Sequence, residues 1–252
     1  MIELAGRPPS DASSGTRPQG SKPNVPDEPF ELPYGDVTVN NYALVAASMH
    51  AQHNPQAMLR DVVTVADVLA SPLIADPLRR MDCCVVSAGG GALVVTRPEI
   101  ARSLGQALVS LRGAGEALKG HNGGRVDLSF SAAAWSGRTA FDEAGITPAD
   151  IQYASIYDSF TITVLMQLED LGFCAKGAGG RFVADGNLIA GVGRLPINTD
   201  GGGLCNNHPA NRGGMTKVIE AVRQLRGTAH PSVQVKNCAL ALAQRLGGHL
   251  GS

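Results

Sequence analysis

The chain has 252 residues, enough for one large domain or two small ones, and 44% of them are hydrophobic, enough for a sizeable core. Only 4% are aromatic, so the predicted core depends on Ala, Val, Leu and Ile. The net charge of −1 argues against nucleic acid or an anionic membrane surface as a partner, and no apolar run is long enough to span a membrane.

The N-terminus and the cysteine content predict the cellular compartment of the protein. The N-terminus lacks the basic start and apolar core of a secretory signal. Five cysteines in a chain of this size do not indicate a disulfide framework, so we expect a reducing, cytoplasmic location. The spacing of cysteines and histidines fits no zinc motif, so no metal is expected.

The first half of the chain opens with residues 1–29, which are rich in Pro, Ser, Gly and Asp and are expected to be disordered. Short periodic runs then predict three helices, at residues 41–49, 64–71 and 98–104. Thr64 is the expected N-cap of the second helix, and Pro98 stands in the first turn of the third. Three apolar runs are typical of strands, at residues 83–86, 91–96 and 107–111.

The second half alternates between the two patterns. Helices are predicted at residues 131–144, 161–171 and 215–225, and strands at residues 151–156 and 238–243. Gly145 is expected to end the first of these helices. The helix at 215–225 is amphipathic, with its apolar residues on one face. This order of elements argues for an α/β layered domain.

Tyr157 closes the predicted strand at 151–156, and a helix follows at once. Asp158 or Ser159 is expected to cap that helix. Tyr157 would then lie at a strand end beside a helix N-terminus, where the helix dipole favours a developing anion. The phenol is therefore either a general acid or oxyanion donor, or a strand-end tyrosine whose hydroxyl contacts water or a carbonyl.

His208 follows the glycine-rich turn at residues 198–203 and precedes another helix. It is either a base or oxyanion-hole donor, since an imidazole titrates near neutrality, or a turn histidine bonded to backbone. Two such turns would bring a phenol and an imidazole to one small cavity. The glycines Gly201, Gly202 and Gly203 either let backbone amides approach a substrate or supply positive φ, and the two roles are compatible.

The polar residues and thiols near Tyr157 and His208 are interpreted mainly as structural. Asp158 is expected to cap the helix or support the tyrosine loop, and Asp200 to brace the glycine turn. Cys205 is nearest to the candidate site and is the thiol most worth testing for reactivity. Cys83 and Cys84 are expected to be buried on a strand, so no cysteine is predicted to be a nucleophile.

These motifs resemble the C-terminal half of a thiolase of the lipid-transfer or sterol-carrier branch, from about residue 30 to the end. The thiolase Asn-Glu-Ala-Phe loop matches residues 157–160, and the Gly-His-Pro loop matches residues 207–209. The Cys-X-Gly-Gly loop matches residues 245–248, where Arg245 replaces the cysteine and His249 follows. Tyrosine in place of the first asparagine is similar to the actinobacterial steroid side-chain aldolases.

The resemblance implies an α/β, thiolase-like layered fold: a mixed β-sheet flanked by helices, with fewer strands than the family's five. Beyond the stretch at 1–29, whose composition predicts disorder, it implies two segments: a remnant of the N-terminal half at 30–105 and a C-terminal-like domain at 106–252. Most of the half that carries the nucleophilic cysteine would be absent.

The function implied is action on acyl-CoA thioesters in lipid or steroid metabolism. The expected reaction is retro-aldol carbon–carbon cleavage by Tyr157 and His208 rather than thiolysis. Asp158, Asp200, the Gly201–Gly203 turn and Cys205 are expected to bind substrate. Coenzyme A would enter as part of the substrate, with no other cofactor, and the partners implied are a second copy of the chain and a small OB-fold protein. The alternative is a truncated, non-catalytic subunit that binds acyl-CoA or a partner protein.

Overall fold

The computed structural model describes residues 42–105, 107–120, 127–209, 213–247 and 250–252. Within these ranges the helices are α1 (Tyr42–Ala51), α2 (Val65–Ala70), α3 (Pro98–Ser103), α4 (Ala133–Ala144), α5 (Thr161–Asp170), α6 (Gly179–Val183) and α7 (Gly213–Arg226). The strands are β1 (Leu73–Ala75), β2 (Leu78–Arg79), β3 (Tyr153–Ile156) and β4 (Ala241–Gln244). The predicted disordered stretch, residues 1–29, lies outside the described residues.

Local signals fix several helix boundaries. The Thr64 side chain accepts a hydrogen bond from the Asp67 backbone N–H, and the Asp67 carboxylate accepts one from the Thr64 N–H, so a capping box begins α2. Gly145 follows α4 with φ 66°, the left-handed conformation that ends a helix at little cost for glycine. The predicted cap of α5 was wrong, because Phe160 occupies the N-cap position.

Strand β3 lies at the centre of the small sheet that positions the site. It pairs in parallel with β4, Tyr153 opposite Ala241 and Ile156 opposite Gln244, and a parallel bridge joins Ala154 to Ile197 on its other side. All four residues of β3 are buried. Since side chains alternate along a strand, β3 contributes to the layers on both of its faces.

The hydrophobic core lies on the α5 face of this sheet. Ala154 and Ile156 of β3 belong to one cluster with Leu165 and Leu168 of α5, which are fully buried. On the opposite face Tyr153, also fully buried, accepts a hydrogen bond of 3.4 Å from the Thr199 N–H at its hydroxyl. The α/β layered fold is therefore confirmed.

Three predicted strands, at residues 83–86, 91–96 and 107–111, were wrong. The described residues of these runs form no regular strand, apart from one antiparallel bridge between Cys83 and Phe160. Val94 and Val95 are 87% and 91% exposed, and a strand needs a neighbour to satisfy its backbone groups. Cys83 and Cys84 are partly exposed rather than buried on a strand.

Helix α7 is buried on a face that its large apolar residues do not form. Its buried positions are Gly213, Lys217, Glu220, Ala221 and Gln224. These positions recur at helical spacing, so a mostly polar stripe faces inward. The division of the chain at residue 106 stays a prediction.

Candidate active site

The two residues singled out in the sequence contact each other. The Tyr157 hydroxyl lies 2.6 Å from Nε2 of His208, and the two ring centroids are 5.1 Å apart. Both side chains are half-buried. A phenol and an imidazole at this distance share a proton, whichever ring tautomer the histidine adopts.

Tyr157 is held by its backbone at the end of β3. Its N–H donates to the Gln244 carbonyl of β4, and its carbonyl accepts from the Gln167 side-chain amide of α5 at 2.6 Å. The phenol therefore projects from a position fixed by neighbouring elements on two sides. The sequence pattern placed Tyr157 at this strand end, beside a helix start at Thr161.

His208 is held from a different part of the chain. Its backbone N–H donates to the Ser87 hydroxyl at 2.9 Å. A Cβ added to Gly203 would lie 3.1 Å from Cδ2 of the His208 ring, so the glycine turn passes directly behind the imidazole. Ser87 was missed in the sequence, where nothing marked it as a neighbour of the site.

The glycine turn is a π-helical turn over Gly202–Asn206. Gly201 and Gly202 have φ of 96° and 60°, the left-handed region that favours glycine, which confirms the backbone role for these two glycines but not for Gly203. The Asp200 carboxylate accepts from the Gly202 N–H at 2.9 Å and from the Asn206 amide at 3.1 Å. Asp200 thus braces the turn as expected.

Asp158 has a larger structural role than a helix cap. Its carboxylate is fully buried and accepts hydrogen bonds from the Gly203 N–H at 2.8 Å and the Leu204 N–H at 3.2 Å. It also forms an ion pair with Lys217 of α7, with Nζ 2.6 Å from Oδ1. Asp158 therefore ties the strand end that carries Tyr157 to the turn behind His208.

The surroundings favour the neutral forms of both site residues. Burial is the main cause that raises the pKa of the Tyr157 hydroxyl, and Arg245 opposes the rise. Burial also lowers the pKa of His208, opposed by Asp158 and helped by Lys217. A neutral phenol and a neutral imidazole are the forms that relay a proton.

The thiols are poor candidates for nucleophiles. Cys84, which the sequence did not connect to the site, reaches it because its N–H donates to the Ser159 carbonyl; burial raises the pKa of its thiol to about 12. Cys205 is 1% exposed, and burial raises its pKa to about 12 as well. A thiol is nucleophilic only as the thiolate, so neither suits covalent chemistry.

The remaining predicted site residues fall into two groups. Asp158, Asp200, the Gly201–Gly203 turn and Cys205 are all buried around the turn, and their role in substrate binding stays a prediction. Residues 248 and 249 lie outside the described residues. Among the described residues, no group of three or more His, Cys, Asp or Glu is placed to hold a metal ion, and none of the helices is long and apolar enough to cross a membrane.

The comparisons with known proteins show the family to which the chain belongs. Residues 115–252 match the family model described as thiolase C-terminal domain-like. The chain therefore belongs to the thiolase superfamily, and its relatives include the lipid-transfer branch.

Three relatives are informative. The chain is 41% identical over 192 residues to the 17-hydroxy-3-oxo-4-pregnene-20-carboxyl-CoA lyase of Mycobacterium tuberculosis, covering 73% of this chain and 49% of that protein. It is 34% identical over 227 residues to the acetyl-CoA acetyltransferase of Methanothermobacter thermautotrophicus, covering 87% and 57%. The solved structure of the Ltp2-ChsH2(DUF35) aldolase matches with a TM-score of 0.69 and 33% identity, over 83% of this chain and 55% of that one. The chain thus spans about half the length of the curated relatives it matches.

Proposed function

We propose that this chain acts on acyl-CoA thioesters of lipid or steroid metabolism and cleaves a carbon–carbon bond in a β-hydroxyacyl-CoA by a retro-aldol reaction. The observation that carries the proposal is the 2.6 Å contact between the Tyr157 hydroxyl and Nε2 of His208. It joins a proton donor to a proton acceptor at the end of a buried strand. The lyase and aldolase relatives support the same reaction class.

In the proposed step, the substrate β-hydroxyl gives its proton to the Tyr157 oxygen while Tyr157 gives its own proton to Nε2 of His208. The C–O bond becomes a carbonyl, the Cα–Cβ bond breaks, and its electron pair remains on Cα as the thioester enolate. The reverse relay then protonates Cα. The products are a ketone or aldehyde and a shortened acyl-CoA. General acid–base help of this kind contributes on the order of 10²–10⁴-fold.

Thiolysis, the alternative reaction, requires different chemistry. It passes through an acyl-enzyme, which needs an activated thiolate beside a base. Cys84 is the thiol whose charge bears on Tyr157, and its raised pKa leaves almost no thiolate at neutral pH. Arg245 stands where the resemblance would place the second thiolase cysteine. Retro-aldol cleavage needs no thiolate, so it suits these residues better.

The proposal includes partners. The similarity to the Ltp2-ChsH2(DUF35) aldolase structure supports a DUF35-type partner protein for this chain. We propose that this partner carries a small OB-fold. We further propose that the chain forms a homodimer in the cytoplasm. Coenzyme A takes part as the carrier of the substrate acyl group, and no other cofactor is proposed.

The test is a mass-spectrometric assay of the purified chain, with and without the DUF35-type partner. The substrates are a β-hydroxyacyl-CoA with a steroid side chain, and acetoacetyl-CoA with free coenzyme A. Tyr157→Phe and His208→Ala should each reduce cleavage at least about tenfold. Matched controls are Tyr42→Phe and His53→Ala, which remove the same kinds of group outside the Tyr157–His208 contact.

The outcomes separate the alternatives. Efficient thiolysis of acetoacetyl-CoA would overturn the retro-aldol assignment. Absence of turnover on either substrate, together with stable binding of acyl-CoA or of the partner, would favour the non-catalytic subunit instead. Equal losses in the site variants and in the controls would show that the Tyr157–His208 contact has no special role.

A further inference from the structure

Lys217 is an unusual residue for the inner side of a helix. Its side chain is 3% exposed, it lies on α7, and its Nζ is 2.6 Å from Oδ1 of the fully buried Asp158. Removing two charges from water costs more than a surface ion pair returns, so a buried pair is weak support for stability alone. Its ion pair with Asp158, the residue after Tyr157, suggests a role in the site.

The hydrogen bonds of Asp158 define the structural part of that role. Asp158 directly follows Tyr157, and its two carboxylate oxygens accept from Gly203 and Leu204 in the turn that backs the His208 ring. Oδ1 receives both the Gly203 N–H and the Lys217 ammonium. Lys217 thus reaches the Tyr157–His208 contact through a single carboxylate.

The charges of Asp158 and Lys217 define the electrostatic part of that role. Asp158 lies at the end of β3 and favours a protonated imidazole at His208, whereas Lys217 on α7 opposes it. Among the described residues, the other titratable groups that act on the contact are Cys84 and Arg245, both through Tyr157. Without Lys217, the His208 ring would face a buried carboxylate that has lost its ion pair at 2.6 Å.

We propose that Lys217 is a positioning residue of the site: it compensates the charge of Asp158, so that Asp158 holds the turn against Tyr157 while His208 stays a neutral proton acceptor. The catalytic part of this role rests on the proposed function. The electrostatic part concerns the folded chain alone and is measurable without turnover.

The test follows the titration of the His208 ring by NMR in the full chain, its signal assigned by its loss in His208→Gln. Lys217→Met should raise the pKa of His208 by roughly half a unit or more, and Asp158→Asn should lower it. The matched control is Lys176→Met, which removes another paired lysine, 2.9 Å from Asp170, and should leave the His208 titration unchanged. Where turnover is measurable, the acidic limb of the pH–rate profile should move upward with the titration in Lys217→Met.

A second comparison covers the case in which Lys217→Met does not fold. Asp158→Asn with Lys217→Met leaves no unpaired charge, so the double variant is compared with Asp158→Asn, and the pKa of His208 should be higher in the double variant. An unchanged His208 titration in a folded Lys217→Met or in this pair overturns the proposal. Normal titration shifts in a chain without retro-aldol turnover would instead refute the proposed function and leave the electrostatic role of Lys217 standing.

Discussion

Gly202 offers a direct test of how rigidly the turn and Asp158 fit together. A Cβ added at Gly202 would lie 2.9 Å from Cγ of Asp158, closer still to its Oδ2, and 3.0 Å from Nδ2 of Asn198. Neither neighbour is free to move away. The Asp158 carboxylate is held by Lys217, Gly203 and Leu204, and the Asn198 amide is bonded to the backbone of β3.

The cost of Gly202→Ala has two parts. A residue other than glycine at φ 60° costs roughly 1–2 kcal/mol. Forcing an extra methyl group into a filled site costs roughly 1–3 kcal/mol more. We therefore expect Gly202→Ala to lower the free energy of unfolding by about 2–5 kcal/mol, a large part of the total for a domain of ordinary stability.

Gly145→Ala is the matched control, because Gly145 has φ 66° but no atom within 4 Å of an added Cβ. It should show only the first part of the cost, about 1–2 kcal/mol. Equilibrium urea unfolding, followed by circular dichroism, measures both variants. Equal losses of unfolding free energy in the two variants would refute the reasoning, because they would show that Asp158 moves aside for the added methyl group at no cost. A folded Gly202→Ala should also lose activity at least about tenfold, since displaced Asp158 moves Tyr157 away from His208.

Three further predictions concern stability and thiol chemistry. Asn198→Ala should lower the free energy of unfolding by about 2–6 kcal/mol, because it leaves the N–H and carbonyl of buried Ile156 without their side-chain partners; urea unfolding measures the loss, and less than about 1 kcal/mol would contradict it. Burial, then Asp200, raises the pKa of Glu220 from 4.5 to about 7, so the folded state holds a proton that the unfolded chain releases. Stability from this group should fall as pH rises between about 4.5 and 7, and Glu220→Gln should remove that slope in unfolding curves taken across this range; an unchanged slope would contradict the assignment. Cys205, buried with a raised pKa, should react with a thiol reagent only after unfolding, and rapid labelling that abolishes activity would make it the nucleophile after all.

Elements whose signals are local were predictable from the sequence. The capping box at Thr64, the left-handed Gly145 and the apolar run that ends at Tyr157 each act within a few residues, and the structure places α2, the end of α4 and β3 accordingly. The runs at 83–86 and 91–96 failed because an apolar run becomes a strand only beside another strand. That partner is a long-range feature, which composition and periodicity do not encode.

The residues of the candidate site also divide into those with a local sequence signal and those whose partners are distant in the chain. Tyr157 and His208 were found because each follows a regular element at a turn, but Lys217 was hidden inside a helix whose apolar residues suggested a different buried face. A polar stripe of Lys217, Glu220 and Gln224 could have been noticed from its spacing alone. Its meaning could not, because the partners of Lys217 and Glu220 are Asp158 and Thr199, distant in the chain.

The glycine-rich turn that begins at Asn198 couples stability to site geometry. Asn198 begins it by bonding both backbone groups of Ile156, the residue before Tyr157, and Gly203 continues it by bonding Asp158, the residue after Tyr157. The same turn therefore holds the chain on both sides of Tyr157. A substitution that loosens the turn should reduce stability and displace the phenol together, whereas one in α2 or α4 should change stability alone. Comparing activity loss per kcal/mol lost at Gly202 and at Gly145 would show whether this coupling exists.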